Sequence, residues 1–368
     1  YRSCPFAYYS RYGLGLEERP RYQFAAPDLG MLVHGALRII GEKLLREQKQ
    51  WHDIPDSEVP AICRQATDEL APQVQHDILM SNAYFAQIKE RLIQTLTRTV
   101  RRLSAFSAVS DFHMEGLEKS FGRPGSPWEA LRFTLKNGLH VVVTGQIDRI
   151  DTLRQGDHKY VVIIDYKSGR KQLDISQIFT GLELQLLTYM FVALLNIGGD
   201  AIPAAVLYCY VRNDRVSLEY RVSDEDKKKL YESKGKLTGF YLDDGQVMQQ
   251  LDTSMQGFSD FLNLRLKKDG TLSDASHTLY NEAGWSHLLD WAARQIEDIA
   301  GHIGDGDISI HPVLLGQKAP CSYCPYRPVC RFDVAMAGNT YDAAGREDKD
   351  DMIRKMFDEG DDEHGLDK

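Results

Sequence analysis

The side chains best suited to chemistry lie in two short stretches, Gly145-Gln146-Ile147-Asp148-Arg149-Ile150-Asp151 and Val161-Val162-Ile163-Ile164-Asp165-Tyr166-Lys167. Side chains alternate along a strand, so Asp165 and Lys167 project to the same face. If the two strands pair, Asp148 comes close to both. Two carboxylates and an ammonium converging at a sheet edge make a site for a hard divalent cation such as Mg²⁺ or Mn²⁺, which takes oxygen ligands and keeps open water positions. Such an ion lowers the pKa of a bound water and neutralises charge building on a phosphoryl oxygen, while the lysine orients the water or stabilises the transition state. Gly145, three residues before Asp148, is expected to let a substrate backbone approach. Gln185 and Tyr189 share one face of a helix at i, i+4, and His34, after Gly30, offers an imidazole ligand. Glu115 and Glu118 are candidate supporting acids.

A second constellation is Cys321-Ser322-Tyr323-Cys324-Pro325-Tyr326-Arg327-Pro328-Val329-Cys330. Six cysteines in 368 residues are too few for a disulfide scaffold, but three within ten residues leave a metal site one ligand short. Cys4 is the candidate fourth ligand. Thiolates suit zinc and iron–sulfur clusters alike, so the residues alone leave both open. Cys63 and Cys209 read as buried thiols.

These residues must be placed by regular elements. Apolar positions at spacings of three and four predict helices over 29–45, 84–103, 179–195 and 285–303. Stretches rich in Val, Ile and Thr predict strands over 130–135, 139–150 and 160–166, separated by Asn137-Gly138 and Gln155-Gly156-Asp157. An antiparallel meander of these three, then a helix and a buried strand over 204–211, gives a β-β-β-α-β core. The expected organisation is one domain over 1–341, with a helical segment over 1–110, a core over 111–212 and a helical, cysteine-bearing segment over 213–341. An exposed charge run is expected over 224–229. An acidic disordered tail is expected over 342–368.

The ordered set His34, Gly145 to Asp148, Asp165 to Lys167 and Gln185 to Tyr189 resembles the PD-(D/E)XK nuclease superfamily, specifically its RecB-like branch. There a helical His, a Gly-x-x-Asp, an Asp-x-Lys and a Gln-x-x-x-Tyr follow one another on an α-β-β-β-α-β core. The resemblance implies an α/β (α+β) fold of restriction-endonuclease type, a mixed sheet flanked by helices. It also implies that His34, Asp148, Asp165 and the Tyr166 carbonyl hold the metal, that Lys167 is the catalytic lysine, and that Gln185 and Tyr189 position DNA or the active-site residues. One cysteine before the core and a Cys-x2-Cys-x5-Cys after it resemble the iron–sulfur staple of the AddB nuclease family and of related CRISPR-associated exonucleases. Ser3-Cys4-Pro5-Phe6 and Arg11-Tyr12-Gly13-Leu14 resemble the start of the AddB C-terminal domain. This implies a structural 4Fe-4S cluster on Cys4, Cys321, Cys324 and Cys330. The resemblance runs from residue 3 to about 333.

The activity it implies is that of an Mg²⁺- or Mn²⁺-dependent DNA exonuclease acting on single-stranded DNA at double-strand break ends, on the 5′-ended strand, with an AddA-like helicase–nuclease partner in the bacterial cytoplasm. The alternative is a catalytically silent, cluster-stapled module that holds DNA ends. No Gly-x4-Gly-Lys-Ser/Thr occurs in the sequence, so it carries no ATP motor of its own. With Tyr1 as first residue and no basic-then-apolar leader, the chain reads as a processed product or as a C-terminal nuclease domain detached from a longer polypeptide.

Composition agrees with a globular chain: 43% hydrophobic and 26% charged residues exclude collagen-like and wholly disordered classes. No apolar run is long enough to span a membrane. The formal charge of -9 at first argues against nucleic acid, yet the 11 acidic and 5 basic residues from Asp342 onward supply -6 of it. The remaining body is nearly neutral. Candidate phosphate contacts are the basic face of the 88–103 segment (Arg91, Arg98 and Arg102, with Lys89 and Arg101), together with Arg2 and Arg11.

Overall fold

The computed structural model describes residues 1–19, 22–169, 173–211, 223, 235–273, 278–317, 319–343 and 347–358. Its strands are β1 (His113–Phe121), β2 (Leu131–Thr134), β3 (His140–Val143), β4 (Gly145–Gln155), β5 (His158–Lys167), β6 (Ala201–Tyr210), β7 (Thr238–Leu242) and β8 (Leu279–Tyr280). Six of them form a mixed sheet in the order β1-β4-β5-β6-β7-β8. The pairs β1–β4, β4–β5 and β6–β7 are antiparallel, and β5–β6 and β7–β8 are parallel. Val161 to Ile164 and Ala204 to Tyr208 are fully buried, which explains why both strands read as unbroken apolar runs: helices cover both faces.

The parallel β5–β6 pair requires a crossover, and α5 (Ile175–Phe179) and α6 (Gln185–Ile197) supply it. On the N-terminal side, α1 (Pro5–Tyr8) is followed by α2 (Ala26–Arg46), α3 (Val59–Leu70) and α4 (Ala83–Ser107). Helix α2 buries Val33, Ala36, Leu37, Ile40 and Leu44. It lies so close to β1 that a Cβ on Gly41 would stand 2.3 Å from Leu117. Later come α7 (Gly245–Leu251), α8 (Glu282–Gly304), α9 (Arg327–Cys330) and α10 (Lys349–Asp358). None of the described helices is long and apolar enough to cross a membrane.

The α/β class and the mixed sheet flanked by helices agree with expectation, but four details differ. The first meander strand is β1, not 130–135. The Met114/Gly116 register shift and the left-handed Glu118 (φ 46°) break the period-two pattern that betrays a strand. Segments 130–135 and 139–150 instead yield the separate β2–β3 hairpin, and the second is cut at Thr144 before β4 begins. The region beyond 212 is not only helical, because β7 and β8 extend the sheet.

The expected disordered tail is likewise corrected over 349–358, where α10 places Met352 and Met356 at 0% exposure. These methionines, with Ile353 and Phe357, form one apolar stripe that the surrounding acids obscure. Phe357 stacks on His287 at 5.1 Å, and Lys349 Nζ meets Asp174 at 2.8 Å. Residues 359–368 and the charge run 224–229 lie outside the described residues.

Candidate active site

Strands β4 and β5 pair from Gln155↔His158 up to Arg149↔Ile164, and no pairing continues past that point. The next pair would set Asp148 directly opposite Asp165, and like charges so placed repel. Instead the strands part, and the Asp148 carboxylate Oδ2 accepts the Tyr166 backbone N–H at 2.8 Å. Because β5 side chains alternate, Tyr166 turns toward α2, where its ring meets His34 edge-on at 6.2 Å. Asp165 and Lys167 turn toward α6. Helices α2 and α6 therefore supply groups from opposite faces of the sheet to one open strand end.

On the α2 side, His34 Nδ1 lies 3.2 Å from Asp148 Oδ2. Ligand atoms of His34, Glu118 and Asp148 all fall within 4.8 Å of one another. On the α6 side, the Lys167 ammonium sits against the Asp165 carboxylate and donates to Gln185 Oε1 at 3.1 Å. Gln185 Nε2 reaches both Asp165 Oδ1 (3.1 Å) and the Tyr189 hydroxyl (2.9 Å). Lys167 also rests 5.4 Å over the Tyr208 ring, whose hydroxyl donates to buried Glu183 at 2.8 Å. All of His34, Asp148, Asp165, Tyr166, Lys167, Gln185 and Tyr189 are thus at one place.

Glu118 belongs to this cluster more closely than the sequence implies. It follows the bulge of β1, adopts a left-handed backbone and takes a hydrogen bond from the Gln146 amide. A non-glycine residue held in that region is a strain the surroundings must sustain, which fits a functional position. Glu115, by contrast, pairs with Lys159 and Thr152 and does not enter the site. Gly145 also differs from expectation: a Cβ there would stand 2.6 Å from the Phe121 ring, so its bareness makes room for that ring rather than for a substrate. Phe121 in turn meets Tyr189 edge-on at 6.0 Å. Gly145→Ala is expected to cost about 1–3 kcal/mol by overpacking, read by urea unfolding; an unchanged midpoint would contradict this role.

The electrostatics fit a divalent cation. Burial, then the charge of Asp148, pushes Glu118 up to about 7 and Asp165 up to about 6. Burial alone would lower His34, but the hydrogen bond and charge of Asp148 outweigh it and raise it. All three shifts favour the protonated site, a cost that a bound cation relieves. For raised groups, stability is fully present below the unfolded pKa and is lost as pH rises through the folded value. The metal-free protein should therefore melt at progressively lower temperature from about pH 4.5 to about 7. Added Mn²⁺ should restore most of the loss at the upper end. Thermal melts in chelator, for the parent and Glu118→Gln, check this: the variant should show a shallower fall.

Four of the cysteines gather at a second place. Cys4 caps α1, with Pro5 opening the helix, and Arg331 in the left-handed region closes α9 just after Cys330. Cys4, Cys321, Cys324 and Cys330 line one cavity with Phe6, Pro312 and Phe332. Burial pushes the Cys4 thiol up, opposed by hydrogen bonds from the backbone amides of Ala7, Phe6 and His311. Such amides favour a thiolate, and together with an apolar wall they suit a soft metal centre. Cys63 and Cys209 are buried and stand apart, as expected.

A profile of the PD-(D/E)XK nuclease superfamily matches residues 1–331. The chain belongs to that superfamily. It is 36% identical over 349 residues to the B-type subunit of the ATP-dependent helicase/deoxyribonuclease of Moorella thermoacetica, covering 94% of this chain and 30% of that protein. Against the Bacillus subtilis counterpart it is 34% identical over 347 residues, 93% of this chain and 30% of that protein. The Bacillus licheniformis counterpart gives 34% over 372 residues, 99% and 32%. The chain spans about a third of the length of these relatives.

Among the expected DNA contacts of this PD-(D/E)XK chain, the structure separates two groups. Arg102 donates to the Gly235 and Asp260 carbonyls, both at 2.7 Å, and lies over the Phe261 ring. Arg2 donates to the Thr180 carbonyl at 2.9 Å and meets Asp298. Both tie chain segments together. Arg11, Arg91 and Arg98 are exposed, and Arg11 lies over the Tyr12 ring.

Proposed function

We propose that this chain is the metal-dependent deoxyribonuclease domain of a bacterial helicase–nuclease, an exonuclease that degrades single-stranded DNA at double-strand break ends and acts on the 5′-ended strand. The observation that carries the reading is the convergence of His34, Asp148, Asp165, Lys167, Gln185 and Tyr189, each of them intact, where β4 and β5 part. An intact set favours catalysis over a silent DNA-holding module.

His34, Asp148 and Asp165, with Glu118 and the Tyr166 carbonyl, would hold Mg²⁺ or Mn²⁺. When bound, the ion supplies Lewis acidity toward a water and a scissile phosphate. Lys167, kept in place by Asp165, Gln185 and the Tyr208 ring, directs its ammonium at charge developing on phosphate oxygens. Gln185 bridges Asp165 and Lys167 and so fixes their separation, while Tyr189 orients Gln185. Cys4, Cys321, Cys324 and Cys330 would hold a structural 4Fe-4S cluster that staples the start of the chain to the segment after α8; the motif order is what favours it over zinc. The exposed Arg11, Arg91 and Arg98 are the phosphate contacts in this reading, and residues 1–341 act as one domain. An AddA-like subunit is the proposed partner, and the bacterial cytoplasm the setting. The relatives' name, that of one subunit of a helicase/deoxyribonuclease, supports the partner.

The test is degradation of 5′- and 3′-labelled single strands with Mg²⁺. The parent should shorten them, and neither the chelated protein nor Asp165→Ala should. If the parent and Asp165→Ala bind the strand and are equally inert, the catalytic reading falls.

A further inference from the structure

Directly behind the site, Arg149 and Asp151 are 2% and 1% exposed. Their side chains form a two-pronged pair, Nε to Oδ1 and Nη2 to Oδ2, both at 2.7 Å, and the guanidinium lies 5.5 Å over the Trp51 ring. A buried ion pair is poor evidence for stability, since well-packed apolar groups often serve the fold as well. Here the remaining nitrogen of the guanidinium, Arg149 Nη1, and the Tyr166 hydroxyl are both buried, and the two groups are neighbours.

Position supplies the reason. Arg149↔Ile164 is the last β4–β5 backbone pair before the strands part. One residue further, Asp148 leaves the ladder to take the Tyr166 N–H. The mutual repulsion of Asp148 and Asp165 pushes the strands apart at this point, and a loosely held last pair would let the opening run down the ladder. We propose that the Arg149–Asp151 fork, backed by Trp51 and abutting Tyr166, is a positioning device that ends the opening at one residue and so fixes Asp148 at the spacing a divalent cation needs. The fork touches neither ion nor substrate; it acts through β4 and through Tyr166. This rests on the nuclease reading above.

The experiment measures Mn²⁺ binding by titration calorimetry, alongside far-UV circular dichroism, melting and strand cleavage, on the full chain. Arg149→Lys keeps the charge but cannot form the fork. The double change Arg149→Met with Asp151→Leu removes both charges together and fills the space. Both proteins should keep the parent's circular dichroism, bind Mn²⁺ about tenfold more weakly, and cleave more slowly at saturating strand, the size usual for groups that orient metal ligands. Mn²⁺ affinity within twofold of the parent in whichever variant folds overturns the proposal. So does loss of fold in both, because the pair is then needed for folding itself. Asp148→Ala separates the two readings. If the parent binds Mn²⁺ no better than Asp148→Ala, the nuclease reading fails; if only the fork variants match the parent, the positioning role alone fails.

Discussion

Asp148→Asn is expected to lower Mg²⁺-dependent strand cleavage by about 10³-fold while leaving the protein folded. The amide oxygen still accepts the Tyr166 N–H that holds the parted strands at 2.8 Å, and the shape is unchanged. What is lost is the charge that every neighbour responds to. Asp148 is among the causes raising Glu118, Asp165 and His34. Without it the two acids should ionise at lower pH and His34 should lose its proton more readily. The fall in metal-free melting temperature between about pH 4.5 and 7 should then flatten. Cleavage assays, Mn²⁺ titration and pH-dependent melts together check this. A variant that binds Mn²⁺ and cuts as the parent does would show that the cluster of His34, Glu118 and Asp148 is not the metal centre.

On the cluster reading proposed above, the parent is brown and holds iron and sulfide, and Cys4→Ser is expected to lose both and to melt roughly 10 °C or more lower, since metal held only by the folded state adds its binding energy to folding. The other ties of the first residues to the later chain include Phe6 N–H to the Ser309 carbonyl (3.1 Å), Val313 N–H to the Ser3 carbonyl (3.0 Å), the Tyr326 hydroxyl to the Leu16 carbonyl (3.0 Å), the Tyr1 hydroxyl to Asp307, and Arg2 to the Thr180 carbonyl (2.9 Å) and Asp298. In the variant, proteolysis should begin near residues 1–16 and 320–335, where the thiols no longer hold a shared ligand, while the sheet resists. Iron and sulfide analysis with limited digestion checks both expectations. A parent that is colourless and contains zinc would defeat the cluster while keeping the staple; a Cys4→Ser protein as stable as the parent would defeat both.

The residues that the structure gathers where β4 and β5 part were legible because their order and spacing are constrained by strand and helix periodicity. Asp165 and Lys167 share a face by alternation, and Gln185 and Tyr189 by a helical turn, so each local pair is visible in one dimension. The apolar runs of β5 and β6, buried on both faces, were legible for the same reason. The pattern gave no such signal for β1. A bulge and a left-handed glutamate erased its alternation, and with it the view of Glu118 as a member of the site. Helix α10 was masked by the acids around its Met352 and Met356 stripe, because composition averages over a face that packing selects.

The chain's net charge of -9 belongs to this contrast. It is a sum over residues and carries no position, so it says nothing about where carboxylates meet. The family, the α/β class and the identity of the acids, the lysine and the four cysteines could all be read in one dimension, since these depend on residue type and local period. That Gly145 serves Phe121, that Arg2 and Arg102 bind chain rather than solvent, and that Asp148 abandons the ladder to hold Tyr166 emerged with folding. Those outcomes turn on which distant segments compete for the same space and the same hydrogen bond, and that competition exists only once the chain has folded.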